Sequence, residues 1–292
     1  MKVAVYGRTL VSQVSAKAFQ TLFNKLDSAG VEVLVYQPFL KQIESKWKGK
    51  AKKTFTQYQD IKGKVQFLFS IGGDGTLLET VTLVRDSGIP LMGINTGRLG
   101  FLSSISQDEI KTAVDALLKK KYTLDQRSLI ELKVDGKKMG ECNYALNEIA
   151  VLKTDSSSMI TIHASVNGTF LNSYWADGLV VATPTGSTAY SLSCGGPIVM
   201  PDSDNFVITP VAPHNLNVRP IIISSQDIVT LEVEGRSTNF LISLDSHSET
   251  VQSSAKLTIK KADFTISLVK LENHDFLSTL RNKLMWGVDK RN

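Results

Sequence analysis

Apolar positions follow two different rhythms along this chain. In the first hundred residues, short apolar runs alternate with stretches of helical spacing. Residues 2–6 (KVAVY), 31–36 and 89–94 read as buried strands, and residues 14–26 carry apolar side chains at helical intervals. Gly30 supplies a helix stop before the second strand. The apolar run 65–71 breaks into Gly72-Gly73-Asp74-Gly75-Thr76 and resumes as a helical pattern, which predicts strand, sharp turn and helix.

From Arg127 onward the rhythm changes to short β-rich runs separated by turns. LIELKVDGK, EIAVLK, MITIHASVNGTFL, DIVTLEVEG, NFLISLD, KLTIKKA and FTISLVK are the clearest. Asp135-Gly136 and Asn167-Gly168 are hairpin dipeptides. Residues 276–286 return to an amphipathic helical pattern. Alternating strands and helices followed by many short strands predict an α/β N-terminal domain with a parallel, Rossmann-like sheet, then an all-β C-terminal domain of packed antiparallel sheets. The expected division is 1–104 and 105–271, with 272–292 returning to the first domain.

Composition narrows the class. At 292 residues, 42% hydrophobic and 21% charged, the chain can bury a sizeable core. The net charge of +5 is spread thinly apart from Lys46, Lys48, Lys50, Lys52 and Lys53, which read as a solvated helix face rather than a nucleic-acid surface. Cys142 and Cys194 form no disulfide framework, and the four histidines are scattered. The opening residues read as a strand rather than a leader, and no apolar run reaches membrane length. A cytoplasmic protein without nucleic-acid or membrane partners is expected.

Two stretches carry candidate chemistry. Glycines 72, 73 and 75 allow positive φ and let a ligand approach the backbone, while the helix start offers N–H groups to phosphate. Gly72, Gly73 and Thr76 would form the phosphate-binding turn. Asp74 repels phosphate, so a carboxylate there suits proton removal from a hydroxyl, or metal binding; an ordinary Asp-Gly turn is the plain alternative. Leu78 stands where G-x-G-x-x-G needs its third glycine, and no G-x-x-x-x-G-K-[ST] occurs. The second stretch, residues 177–197, empties an apolar strand into a loop rich in Gly, Ser and Thr, with Ser187 or Thr188 as an expected helix cap. That loop ends in Tyr190, a fitting wall for a polar aromatic ligand. Phe101, in a second glycine-bearing turn (NTGRLGFL), is either core or a face for a base. Asn147-Glu148 precedes a strand, where amide and carboxylate could take a pair of ribose hydroxyls. Residues 209–220 (TPVAPHNLNVRP) look like a rigid irregular connection.

Taken in order, IGGDGT, NTGRLGFL, LNE, DGLVVATPTGSTAYSLSCGGP and TPVAPHNLNVRPI make the chain resemble the NAD kinases over most of residues 65–223. GGDGT alone is shared with diacylglycerol and sphingosine kinases; the TPTGSTAY block is far more specific. The resemblance implies transfer of the γ-phosphoryl of ATP to the 2′-hydroxyl of NAD's adenosine ribose, with a divalent metal ion, Mg²⁺ above all. It implies Asp74 as catalytic base with Gly75 beside the dinucleotide. Phe101, Asn147, Glu148, Asp177, Thr188, Ala189 and Tyr190 would bind NAD. It implies a homo-oligomer, dimer or tetramer, and some members accept inorganic polyphosphate. Where many members carry Asp-Gly-Gln, this chain has Asp245-Ser246-His247, so a role for Asp245 is left open. Trp175 lies where members differ in tolerance for reduced dinucleotide. Two other readings are a lipid kinase of the diacylglycerol kinase type and a catalytically silent nucleotide sensor. The ligand site is expected to draw on both halves of the chain.

Overall fold

The structure, a computed structural model, describes residues 1–8, 13–43, 53–154, 158–272 and 274–286. Lys46, Lys48, Lys50 and Lys52 lie outside the described residues. The chain forms two compact units, Met1–Gln126 with Ile266–Asn292, and Arg127–Thr265.

In the first unit the alternating pattern becomes β1 (Lys2–Gly7), α1 (Gln13–Ser28), β2 (Glu32–Tyr36), α2 (Gln37–Ile43), β3 (Lys53–Phe55), α3 (Tyr58–Ile61), β4 (Phe67–Ile71), α4 (Asp74–Val84), β5 (Leu91–Ile94) and α5 (Ile110–Leu118). The strands are parallel in the order β5-β4-β1-β2-β3. Every residue of β4 and β5 is buried, as strands covered on both faces require. Gly30 takes φ +65 and ends α1, a conformation that costs a glycine little. Helix α5 buries Ile110, Ala113, Val114 and Leu117, one face at the 3–4 spacing, and these join Val5, Phe69 and Ile94 in the core. Burying each such Leu, Ile or Val contributes about 1.5–3 kcal/mol. The chain runs outward from β1 to β2 on one side and from β4 to β5 on the other. The carboxyl ends of β1 and β4 therefore flank a topological switch point, where open α/β sheets bind ligands.

The second unit holds β6 (Thr123–Val134) from Arg127 onward, β7 (Lys137–Lys138), β8 (Tyr144–Ala145), β9 (Glu148–Lys153), β10 (Ile160–Val166), β11 (Thr169–Ala176), β12 (Gly178–Ala182) and the short α6 (Tyr190–Ser193). After α6 come β13 (Asn205–Val211), β14 (Ile221–Ser224), β15 (Val229–Glu234), β16 (Asn239–Leu244), β17 (His247–Gln252) and the start of β18 (Leu257–Lys270). One antiparallel sheet runs β14-β13-β12-β9-β16-β17; the other contains β11-β10-β15-β18, with β6 pairing β18, β7 and β8. Their inner faces meet in one cluster, with Ile149, Val151, Leu179 and Val181 from the first sheet and Ile162, Leu231, Val233 and Leu257 from the second. The alternate residues Ala150, Val180 and Ala182 point to the other side, where Val199 and Tyr190 cover them. The hairpin dipeptides take the two positive φ values they favour, +49 and +75 at Asp135-Gly136, +51 and +78 at Asn167-Gly168.

Two details depart from the sequence expectation. KLTIKKA and FTISLVK, read as separate runs, form the single 14-residue strand β18. Its first residues pair with β15 in the second unit and Leu268 pairs with Leu91 in the first. Pro210, expected in an irregular connection, lies inside β13 opposite Leu179. It is tolerated because β14 pairs only with Asn205–Ile208, so no ladder partner there asks for its missing N–H. The last helix, α7 (Phe276–Leu284), has its N-cap at Asp275, whose carboxylate accepts the Ser278 N–H, and buries Leu280 in the first unit.

Candidate active site

The turn after β4 is built around Gly72. Its φ of +156 excludes ordinary side chains, and the Thr76 side chain fills the space a β-carbon would need. Of the three glycines that could take positive φ, only Gly72 does so. Gly73 sits at φ −90 as the N-cap, and nothing lies within 4 Å of where a side chain at 73 or 75 would begin. Those two glycines leave the surface of the turn bare, which is what a bulky ligand needs. Helix α4 begins at Asp74 itself, so a carboxylate occupies the positive end of the helix dipole.

Asp74 is tied to the second glycine-bearing turn. Its Oδ2 accepts the N–H of Phe101 at 2.8 Å, and its Oδ1 accepts those of Leu102 and Ser103 at 3.1 and 2.9 Å. A β-carbon at Gly100 would collide with this carboxylate, so the approach depends on glycine there. Buried Asn95 shapes the same turn: its Nδ2 donates to the carbonyls of Arg98 and Ser103, and its Oδ1 accepts the Gly97 N–H. An ionised carboxylate offers about four lone-pair positions. Three are used at Asp74, which fixes its orientation and leaves one for a ligand hydroxyl. Phe101 is half-buried rather than core, with the Phe276 ring 6.1 Å away and Lys283 Nζ 5.1 Å from its ring centre. On the same edge, past β1, the exposed Arg8 lies 3.1 Å from Glu79, which also accepts the Tyr6 hydroxyl at 2.6 Å.

In the second unit, Asn147 and Glu148 open β9, and a second carboxylate gathers their backbone. Asp245 accepts the N–H of Leu146 at 2.8 Å on Oδ2, and those of Asn147 and Glu148 at 2.8 and 3.1 Å on Oδ1. Thr183 holds the opposite side, its hydroxyl donating to the Leu146 carbonyl and its N–H to that of Asn147. Gly186 lies so close that a side chain there would strike the Asn147 backbone. Thus the TPTG loop and the Asn-Glu turn are interlocked. Ser187 and Thr188 do not cap a helix, contrary to expectation. Residues 185–188 form a 3-10 turn, and α6 starts after Ala189 without a side-chain cap. Ser187 instead donates to the Pro184 carbonyl and accepts the Val199 N–H, stapling the loop to the chain beyond it. Thr188 donates to the Thr185 carbonyl, and Ala189 N–H to that of Gly186.

Electrostatics draw the predicted residues of this unit together. Burial, and secondarily the Asp245 charge, push the Glu148 carboxyl up to about 8, against the opposing Tyr190 N–H. Glu148 Oε2 is sealed from solvent with no hydrogen-bond partner among the described residues. Glu148 is therefore a protonated acid near neutrality, able to donate as well as accept. Burial raises the Tyr190 hydroxyl, with Cys194, Asp177 and Glu148 adding to it. Asp177 is paired with Lys153 at 2.6 Å. Burial pushes Asp245 up to about 6 in spite of its three N–H donors. Trp175 is exposed and lies over His214, ring centres 4.2 Å apart. Asp245, Asn95 and Thr183 are the residues that sequence reasoning did not assign. Only the departure at Asp245-Ser246-His247 marked one of them beforehand.

Comparison with known proteins covers both units. The ATP-NAD kinase N-terminal domain family matches residues 8–122, and the ATP-NAD kinase C-terminal domain family matches residues 146–271. A Cytophaga hutchinsonii protein named NAD kinase is 57% identical over 239 residues, 82% of each chain. One from Flavobacterium psychrophilum, also named NAD kinase, is 46% identical over the full length of both. Among solved structures, an NAD kinase from Archaeoglobus fulgidus in complex with ATP aligns with TM-score 0.76 at 26% identity, covering 98% of this chain and 99% of that one. Yeast NADH kinase complexed with NADH aligns with TM-score 0.86 over 98% of this chain and 88% of its own, and at 24% identity it speaks to the fold alone.

Proposed function

The chain belongs to the ATP-NAD kinase family, and from that premise we infer how its own residues divide the reaction. It is an NAD kinase, a phosphotransferase that makes NADP from NAD and ATP. The lipid-kinase and silent-sensor readings have no support among full-length relatives that carry the NAD kinase name.

Asp74 is assigned the base. The 2′-hydroxyl oxygen of the adenosine ribose attacks the γ-phosphorus of ATP, the bond to the β-bridging oxygen breaks, and ADP leaves. The hydroxyl proton passes to the free lone-pair position of Asp74. The observation that carries this is the fixed carboxylate at the carboxyl end of β4, three positions filled by N–H and one open. Phosphoryl transfer asks a protein mainly for positioning and charge neutralisation. A base held this way contributes roughly 10²–10⁴ in rate.

Gly72, Gly73 and Thr76 are assigned to the phosphates and Gly75 to the dinucleotide. Phe101 and Tyr190 would supply its aromatic walls. Asn147, Asp177, Thr188 and Ala189 would supply its polar contacts, with Glu148 bonding a ribose hydroxyl. The divalent ion implied by the resemblance finds no group of three or more His, Cys, Asp or Glu among the described residues. Such residues suit Mg²⁺ only as it commonly binds, through substrate phosphates with one or two carboxylates, where it would neutralise phosphate charge. A homo-oligomer, dimer or tetramer, is what the resemblance implies. A cytoplasmic location fits a sequence whose two cysteines, Cys142 and Cys194, give no disulfide framework. Among the described residues no helix is long and apolar enough to cross a membrane.

Purified protein incubated with NAD, ATP and Mg²⁺ and assayed for NADP tests the reading. NADP formation with ADP release supports it. Phosphorylation of diacylglycerol instead, or nucleotide binding without turnover, contradicts it.

A further inference from the structure

We propose that Asp245 is a positioning residue for the dinucleotide: from the hairpin turn between β16 and β17, its carboxylate sets the backbone of residues 146–148 so that Asn147 and Glu148 can grip NAD. The proposal rests on the kinase reading for the identity of the ligand.

The geometry is specific. Successive residues of an extended strand point their N–H groups to opposite sides, so three in a row converge on one point only in a turn built around an acceptor. Asp245 is that acceptor, for Leu146, Asn147 and Glu148. Its own N–H donates to the Glu148 carbonyl at 3.1 Å, closing the ring. With Thr183 holding the carbonyls of Leu146 and Asn147, all six backbone polar groups of residues 146–148 are satisfied. No side-chain atom of Asn147 or Glu148 is needed for that task.

The arrangement is costly, which a turn of purely structural purpose would avoid. A carboxylate is buried on a turn residue at φ +51, a conformation uncommon for non-glycine residues. The neighbouring hairpins reach the same end with Asp-Gly and Asn-Gly and no buried charge. Asp245 also acts on Glu148 through space: burial first, then the Asp245 charge, keeps the Glu148 proton in place. The replacement of glycine by Ser246 does not disturb this, because the positive φ falls on Asp245.

The test is Asp245→Asn, which keeps the size and one oxygen but turns an NH₂ toward amides that need an acceptor. The expected result is a rise of about tenfold or more in both KM and Kd for NAD, the size expected when a charge-assisted bond to a binding turn is lost. The KM for ATP, and kcat at saturating NAD, should stay within about threefold of wild type. A variant with a lowered melting temperature but an unchanged NAD Kd, measured well below that temperature, would make Asp245 structural only and overturn the proposal. If the variant does not fold, amide exchange on the unsubstituted enzyme decides. Amides of 146–148 that are protected in the free enzyme, and more so with NAD, support it; amides that are unprotected or indifferent to NAD overturn it. Should the wild type form no NADP, the kinase reading fails separately, and NAD binding by calorimetry still tests Asp245.

Discussion

Asp74 and Asp245 each accept the backbone N–H groups of three successive residues, yet the two cradles differ in setting. Asp74 is half-exposed, at the start of a helix, and reaches a turn 27–29 residues away. Asp245 is also half-buried as a residue, but it stands on a hairpin, burial raises its carboxyl to about 6, and it reaches a turn 97–99 residues away. The first turn offers bare glycines at 73 and 75, which leave open space on either side of the acid in the chain. The second acid is turned to the three amides it holds, and in the proposal above it is the residues it holds that meet the ligand. On the roles proposed above, the same hydrogen-bond pattern would serve chemistry at Asp74 and positioning at Asp245. In both, the N–H donors fix geometry.

The largest effect should follow Asp74→Asn. The kcat is expected to fall by roughly 10²–10⁴, the contribution of a general base, with NAD Kd changed by less than about tenfold. Retention of more than about a tenth of wild-type kcat, by the same measure of a base, removes Asp74 from the chemistry. Next comes Gly100→Ala, which keeps the acid but drives a methyl into it. Displacement of a reacting group by about 1 Å can cost on the order of 10² in rate. A fully active Gly100→Ala enzyme would mean that the orientation of Asp74 does not matter.

How much was legible beforehand follows the same contrast. GGDGT, NTGRLGF and the TPTG loop are each contiguous in sequence and so could be picked out, whereas the packing of Gly100 on Asp74 and of Gly186 on Asn147 joins distant segments and was not expected. Both sheets were readable from apolar rhythm, because buried parallel strands and half-buried antiparallel ones differ in pattern. Asp245 was not readable. Its partners are nearly a hundred residues away, and no local pattern reports a bond to a distant backbone. The cap assigned to Ser187 failed for a related reason: its hydroxyl is claimed by Pro184 and Val199 instead. The two runs inside β18 looked separate because Asp263 stands between them, yet it is an exposed residue of one continuous strand.

A smaller effect concerns the aromatic walls. Tyr190→Ala and Phe101→Ala should each raise the NAD KM about tenfold, since stacking on a base is worth roughly 1–3 kcal/mol. The KM for ATP should barely move. If melting temperature falls while NAD KM holds, both rings belong to the core. The finest effect is a pH slope. Glu148 binds its proton more tightly folded, at about 8, than unfolded near 4.5. Its stabilisation is therefore complete below the unfolded value and is lost as pH rises through about 8, by up to about 1.4 kcal/mol per unit. Asp245 acts in the same direction up to about 6. Glu148→Gln should shed its share, so its melting temperature gains on wild type from pH 5 to 9. Parallel curves for the two proteins would contradict a sealed, protonated Glu148.

The division of labour between the two acids is tested most directly by single-turnover phosphoryl transfer, with NAD and ATP both saturating, in Asp74→Asn and Asp245→Asn side by side. Saturation removes binding from the readout and leaves the chemical step. Asp245→Asn is expected to transfer within about threefold of the wild-type rate, and Asp74→Asn at about a hundredth or less. Equal losses in the two variants, or a larger loss at Asp245 than at Asp74, would contradict the account.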